Sequence, residues 1–191
     1  MSDFSIYFQL GWQHILDLNG YDHILFVLVL CCSYTLKDWK RLLWLVTAFT
    51  IGHSITLALA AFKIIKVDMS WIEFLIPVTI LITALYNLPK RRKQRSAAIL
   101  YSMALIFGLI HGLGFSNYLQ SLLGKEANIV VPLLSFNIGL EFGQLIIVFF
   151  VILLSELMLK IFRVNNRDWS FFLSSAVIGI SFIMAIERIP L

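Results

Sequence analysis

Charged side chains are scarce in this chain. Among its 191 residues, 15 are Lys or Arg and 11 are Asp or Glu, whereas 60% are hydrophobic. The polar surface that a soluble domain of this size needs is therefore missing. The mean hydropathy of +0.88 supports the same conclusion. Together these values indicate an integral membrane protein whose surroundings are a lipid bilayer.

Cysteine is almost absent as well. The only two cysteines, Cys31 and Cys32, are adjacent in an apolar run, which argues against a disulfide framework. The first residues lack a basic leader and a small-residue cleavage site, so we expect no removable signal peptide. No stretch outside the apolar segments is long enough to bury a core of its own. Residues 1–191 are therefore predicted to form a single transmembrane domain.

Six apolar segments are predicted to cross the bilayer, each bounded by charge, Pro, Gly or Asn. They cover residues 21–36, 42–62, 71–88, 97–115, 130–159 and 169–186. The expected fold class is thus an all-α, polytopic bundle of six transmembrane helices over residues 20–191. Pro132 predicts irregular or interfacial backbone at the start of the fifth span, with its helix beginning near Ser135.

A shorter apolar segment precedes these spans. Residues 4–18 carry Gln9, Gln13, His14 and Asp17 among aromatic and aliphatic side chains. Such a composition is typical of a helix that lies at the membrane interface. Residues 1–19 are therefore predicted to form an interfacial segment or a seventh membrane segment.

Basic residues mark one side of the membrane. With six spans, eleven of the fifteen Lys and Arg residues fall on one side, in segments 37–41, 90–95 and 160–167. The positive-inside rule makes that side cytoplasmic in a multi-pass protein. The basic run 90–95 follows a span directly and is interpreted as a topology signal, so no nucleic-acid partner is expected.

Polar side chains interrupt the apolar spans at related depths. His53 lies in the middle of the second span, with Thr50 and Ser54 on the same helix flank. His23 and His111 lie near the outer ends of the first and fourth spans. A charged group inside the bilayer costs roughly 2.5–3.5 kcal/mol on insertion scales. We therefore expect these histidines to bind something.

The fifth span adds a polar stripe. Asn137, Glu141 and Gln144 are spaced by four and then three residues, which places them on one helix face in the outer half. His14 belongs to the N-terminal segment, and Asp22 lies where a helix N-terminus favours an anion. The sequence thus predicts a buried polar constellation that is open to the outer side.

The residue types in this constellation suit a metal ion. Imidazole is a common ligand for zinc and nickel, and several histidines with a carboxylate form a borderline-soft site. The predicted metal-site residues are His23, His53, His111, Asp22, Glu141 and His14. Neighbouring hydroxyl and amide groups fix imidazole tautomers at such sites. That supporting role is predicted for Thr50, Ser54, Asn137 and Gln144. The implied ion is a divalent transition metal, Ni²⁺ or Zn²⁺.

Each of these residues also has a purely structural interpretation. A single intramembrane histidine can join helices by hydrogen bonds, and a buried Glu141 can do so as a neutral carboxylic acid. Asp22 can serve as a helix cap. The metal hypothesis depends on the histidines occurring together.

Four motifs follow one another along the chain: residues 20–26 (GYDHILF), 47–57 (TAFTIGHSITL), 111–115 (HGLGF) and 136–144 (FNIGLEFGQ). Their combination and order resemble the motif series of the HupE/UreJ family of bacterial membrane proteins. Family members at hydrogenase and urease loci are described as nickel or cobalt permeases. The resemblance therefore implies divalent metal uptake across a bacterial inner membrane.

The resemblance also carries over individual residues, namely His23, His53, His111, Asp22, Glu141, Glu73 and Asn87. Glu73 and Asn87 lie on the third span. Tyr86 departs from the acidic residue that the family pattern has before the Asn, which leaves the role of this span open.

The residues leave three functions open. The first is an uptake permease that captures Ni²⁺ or a related ion from outside. The second is an intramembrane zinc-dependent hydrolase that acts on a lipid or peptide near the outer leaflet. Its general base would be Glu141 or Asp22, and Ser54 or Asn137 would aid an oxyanion. The third is a structural metal in a complex with a partner membrane protein. The sequence does not decide whether the chain forms a homo-oligomer.

The permease hypothesis meets one obstacle in the inner half of the predicted bundle. That half lacks a polar path comparable to the outer constellation. The only candidates there are Cys31, Cys32, Ser33 and Ser102.

Overall fold

The computed structural model describes residues 3–88, 96–123 and 129–190. Within these ranges the regular structure is helical and no strand occurs. Seven α-helices follow one another there: α1 Asp3–Leu16, α2 Asp22–Cys31, α3 Trp39–Ala61, α4 Met69–Asn87, α5 Ala97–Leu123, α6 Val130–Lys160 and α7 Asn166–Glu187. The predicted all-α class is confirmed. The predicted basic run 90–95 lies outside the described residues.

Five helices, α3 to α7, are long and apolar enough to cross a membrane. The shortest of them has 19 residues and therefore rises about 28 Å, close to the thickness of a bilayer's hydrocarbon core. Large apolar side chains such as Phe149, Phe150 and Phe172 are exposed on these helices. That exposure is expected where lipid covers the surface. The chain is a multi-pass membrane protein.

Two predicted span boundaries were wrong. The helix α6 begins at Val130 and continues without interruption, so the irregular backbone expected before Ser135 is not present. Pro132 lies in the first turn, where the N–H group that proline lacks would have no intrahelical partner anyway. The helix α5 continues to Leu123 and thus runs well beyond the predicted end of its span at Phe115.

The predicted first span is a much shorter helix. The helix α2 has ten residues, so it rises only about 15 Å, half of the hydrocarbon core. Seven of the ten are buried, and α1, α3, α4, α6 and α7 all contact it. A short helix is tolerated at membrane depth when protein surrounds it and satisfies its ends. The count of six spans is therefore not confirmed.

The N-terminal segment forms α1, which packs across the first half of α6. A Cβ atom on Gly11 would overlap the backbone carbonyl of Phe136, and one on Gly139 would overlap that of Phe8. The two backbones are therefore in direct contact, which only residues without a side chain permit. This contact fixes the position of the backbone at His14, which lies one turn beyond Gly11 on α1.

The helices α3 and α5 form a second pair of the same kind. A Cβ atom on Gly52 would overlap the carbonyl of Leu105, and one on Gly108 would overlap that of Phe49. These two backbones are therefore in direct contact as well. His53 follows Gly52 directly, and His111 lies between Gly108 and Gly112 on α5. The backbone contact thus brings both histidines into the same layer of the bundle.

We expect Gly139→Ala to destabilise the protein, because the added methyl group would force α1 away from α6. Overpacking of this kind costs about 1–3 kcal/mol in free energy of unfolding. Gly179→Ala is the matched control, since no neighbouring atom lies within 4 Å of its added Cβ. That control gains about 1 kcal/mol at most from helix propensity. Melting of the detergent-solubilised variants measures both effects, and equal melting temperatures would contradict the packing described for α1.

Candidate metal centre

Three histidines from three helices meet at one end of the bundle. His14 comes from α1, His23 from α2 and His53 from α3, and one ligand nitrogen of each lies within 4.8 Å of the others. Nitrogens bound to a shared zinc-sized ion lie about 3.4 Å apart, given metal–nitrogen bonds of about 2.1 Å. Small side-chain rotations would therefore allow all three to ligate one ion. His53 and His23 are buried, and His14 is partly buried.

His111 on α5 is a fourth imidazole next to this group. The centre of its ring lies 5.2 Å from that of His23. Its Nε2 lies 3.0 Å from Oγ1 of Thr79, whose hydroxyl donates to the carbonyl of Ile76. Because the hydroxyl proton is used there, we assign Nε2–H of His111 as the donor to Thr79. The lone pair of the ring is then on Nδ1, as a metal ligand requires.

Most ring nitrogens of these histidines have no hydrogen-bond partner among the described residues. This holds for Nε2 of His14, for both ring nitrogens of His23 and His53, and for Nδ1 of His111. A buried polar atom without a partner costs about 1–3 kcal/mol. Binding a cation would satisfy several of these atoms at once. The donor set therefore fits a divalent transition metal.

Asp22 lies against the ring of His23. Its Oδ1 accepts a hydrogen bond from the backbone N–H of His23 at 2.8 Å. The same oxygen lies 2.9 Å from Nδ1 of His23, an ion-pair contact without hydrogen-bond geometry. Its Oδ2 lies 3.6 Å from the Arg188 guanidinium. A carboxylate behind an imidazole orients the ring at metal sites, and this position leaves Nε2 of His23 available to an ion.

Phenylalanine rings line the histidine group. The ring centre of Phe115 lies 3.9 Å from that of His14 and 5.1 Å from that of Phe136. On the other side, Phe26 and Phe49 each lie 5.2 Å from His111. These apolar walls keep the local dielectric constant low, which strengthens electrostatic interactions inside the centre.

Two of the residues predicted on α6 join that helix to α3. Thr47 donates a hydrogen bond to Oε1 of Glu141 at 2.7 Å, and Thr50 donates to Oε1 of Gln144 at 2.8 Å. Glu141 is not a member of the group of close histidine nitrogens. Thr50 and Gln144 were predicted to support the imidazoles. Their side-chain hydrogen bond instead joins them to each other.

The remaining predicted residues lie apart from one another. Ser54 donates to the carbonyl of Thr50 at 2.7 Å, and Oδ1 of Asn137 is buried without a partner among the described residues. Glu73 is exposed on α4. Asn87 donates to the carbonyl of Val29 at 2.7 Å, near the opposite end of α2 from His23. The structure therefore does not bring Glu73 or Asn87 to the histidine group.

Sequence reasoning missed two residues that contact the centre, Thr79 and Arg188. For Thr79 a signal was present, since Thr79, Thr83 and Asn87 recur every four residues on α4 and thus share one helix face. No local pattern connects Arg188 with Asp22, because Asp22 begins α2 and Arg188 follows α7, so the two are close only after these helices have packed.

A family model described as HupE / UreJ protein matches residues 1–188. No curated protein and no solved structure matches the chain. The matched range includes every residue of the histidine group together with Asp22, Thr79 and Arg188.

We expect Thr79→Val to weaken metal binding, because His111 would lose the oxygen that accepts its Nε2–H. Removing such a supporting partner costs about 10–100-fold in metal affinity at protein metal sites. Thr56→Val is the matched control, since the Thr56 hydroxyl donates only to backbone carbonyls of its own helix. Titration calorimetry with Ni²⁺ on detergent-purified protein measures the difference. Equal affinities in the two variants would contradict the assigned role of Thr79.

Proposed function

The chain belongs to the HupE/UreJ family, and we propose that it is a permease that takes up a divalent transition metal, with Ni²⁺ as its cargo. The observation that carries the proposal is the convergence of His14, His23 and His53 inside a multi-pass membrane protein. Ionisable residues at membrane depth mark ion pathways when they face the bundle interior.

The ligand set suits transport because it favours exchange of the ion. Three neutral imidazoles select for borderline ions such as Ni²⁺ and Zn²⁺ over Mg²⁺ and Ca²⁺. The group of close nitrogens contains no thiolate, and its neighbouring carboxylate, Asp22, is held against His23 and Arg188. A transport site must bind strongly enough to select its ion and weakly enough to release it.

The burial of the histidines suggests the direction of access. His14 is partly buried, 5% of His23 is exposed, and neither His53 nor His111 is exposed at all. The segment that joins α1 to α2 is exposed beside them. We therefore infer that the ion reaches His14 first and His111 last. The positive-inside rule assigns this access to the outer side of a bacterial inner membrane.

The short helix α2 supports the same function by analogy. Transporter sites near the membrane midplane are built from discontinuous helices whose ends point at the ion or substrate. The first turn of α2 carries Asp22 and His23, so one end of a half-length helix contributes to the proposed site. We further propose Glu141 as a charge-balancing group, held by its hydrogen bond from Thr47.

The hydrolase alternative is not favoured by the contacts of two of its candidate residues. Its hydroxyl candidate, Ser54, donates to the carbonyl of Thr50, and Glu141, one of its two base candidates, accepts from Thr47. Both side chains thus have partners outside the histidine group.

We expect His53→Gln to lower Ni²⁺ affinity by at least about tenfold, because the variant removes one ligand and leaves the other histidines in place. Uptake of Ni²⁺ into proteoliposomes should fall in the same variant. Thr56→Val, three residues along α3, should retain both binding and uptake. If wild-type proteoliposomes accumulate no Ni²⁺, or if His53→Gln takes it up like the wild type, the permease proposal fails.

Bound metal should also immobilise α1, since His14 would then be tied through the ion to His23 and His53. A ligand present at 100 times its Kd stabilises the form that binds it by about 2.7 kcal/mol. Amide hydrogen exchange in α1 should therefore slow when Ni²⁺ is added. His14→Gln should abolish this protection while α7 exchanges as before. Unchanged exchange in wild-type α1 at saturating Ni²⁺ would exclude His14 as a ligand.

A further inference from the structure

A groove lies between α3 and α6, away from the metal centre. Its volume of about 250 Å³ exceeds that of an engineered cavity of about 150 Å³ that binds benzene. Leu42 and Ile152 line it and are buried, whereas the lining residues Leu43 and Leu153 are exposed at its rim. All of its lining residues except Glu156 are apolar. The groove therefore suits a hydrocarbon chain.

Hydrogen bonds between the two sides define both ends of this groove. At one end, Oε1 of Glu156 accepts from the backbone N–H of Leu36, in the turn that leads into α3, at 3.1 Å. At the other end, Thr47 donates to Oε1 of Glu141, one helical turn beyond the lining residue Leu145. These two hydrogen bonds hold the helices together on either side of the groove. The space between them is thus a fixed feature of the fold.

The length of the groove matches one leaflet of a bilayer. Its lining residues on α6 extend from Leu145 to Glu156. Eleven residues separate these two positions, which corresponds to a rise of about 16 Å. Half of a bilayer's hydrocarbon core is about 15 Å thick. The groove can therefore hold an acyl chain of a lipid from one leaflet, with the headgroup at the Glu156 end.

Basic side chains surround that end. Lys160 forms an ion pair with Glu156 at 2.7 Å, which offsets the charge of the carboxylate. Lys37 interacts electrostatically with the same carboxylate. Nζ of Lys40 lies 5.6 Å from the ring centre of Trp39, which lines the groove. Because Lys37 and Lys40 are exposed, their ammonium groups are accessible to a headgroup.

The charge at this end distinguishes between two occupants, a lipid and a second copy of the chain. Residues 36–41 and 156–160 carry four basic and two acidic side chains, so their net charge is positive. A second copy in the same orientation would bring its own basic end to the same depth, where like charges repel. An anionic phospholipid instead complements both the apolar walls and the positive end.

We propose that the groove between α3 and α6 binds one anionic phospholipid. One acyl chain lies between the two helices, and the phosphate accepts charge-assisted hydrogen bonds from Lys37 and Lys40. Basic pockets between membrane helices recognise anionic headgroups in this way. This site does not rest on the proposed transport function.

Native mass spectrometry of delipidated, detergent-purified protein tests the headgroup contact. A basic side chain near the membrane surface strengthens binding of anionic lipid about fivefold. The wild type should therefore bind one phosphatidylglycerol molecule about 25-fold more tightly than phosphatidylcholine, and Lys37→Gln/Lys40→Gln should lose this preference. The control Lys63→Gln/Lys66→Gln removes the same charge beyond the other end of α3 and should retain it. Equal binding of the two lipids by the wild type, or an unchanged preference in Lys37→Gln/Lys40→Gln, would overturn the proposal.

A second pair of variants tests the acyl chain. Leu153 and Leu154 are adjacent and similarly exposed, at 52% and 45%, but only Leu153 is among the lining residues. Leu153→Trp should weaken phosphatidylglycerol binding by at least about tenfold, because excluding two methylene groups from an apolar contact has an effect of about this size. Leu154→Trp should bind like the wild type.

Two outcomes of this second comparison would contradict the proposal. Equal lipid binding by Leu153→Trp and Leu154→Trp would show that no acyl chain occupies the groove. A dimer that only Leu153→Trp dissociates, without a selectively bound lipid, would identify the groove as a contact between two copies of the chain.

Discussion

The structure depends on a helix that is too short for its environment. At ten residues, α2 covers half of a membrane's hydrocarbon core, so its ends must be satisfied by protein and not by water. Five other helices therefore surround it. One end carries Asp22 and His23, and the other leads into Cys32. The histidine centre is thus built around one end of this short helix, and polar contacts with Cys32 lie at the other.

The enclosure of α2 requires helices that approach very closely. Glycines place the backbone of α1 against α6 and that of α3 against α5, and the same two pairs carry three of the four histidines. Imidazoles that reach the centre in this way lose water without gaining enough hydrogen-bond partners. In a permease these unpartnered ring nitrogens favour ion binding, because the cargo ion supplies the missing interactions and no fixed hydrogen-bond partner competes with it.

Much of this arrangement could be predicted from residue types and depth. Hydropathy located the long helices, and counting residues from the span ends placed His23, His53 and His111 in one layer. The length of α2 could not be predicted, because an apolar run has the same composition whether lipid or protein surrounds it. The contacts of Arg188 with Asp22 and of Asn87 with Cys32 join distant segments and arise only from tertiary packing. Pro132 misled the prediction because its effect depends on its exact distance from the helix start.

X-ray absorption spectroscopy of the Ni²⁺-loaded protein tests the central claim most directly, because the scattering pattern of imidazole identifies and counts histidine ligands. Coordination by His14, His23 and His53 predicts at least three imidazoles on the nickel ion, and one fewer in His53→Gln. A shell of oxygen atoms without imidazole scattering would contradict a metal centre at these histidines.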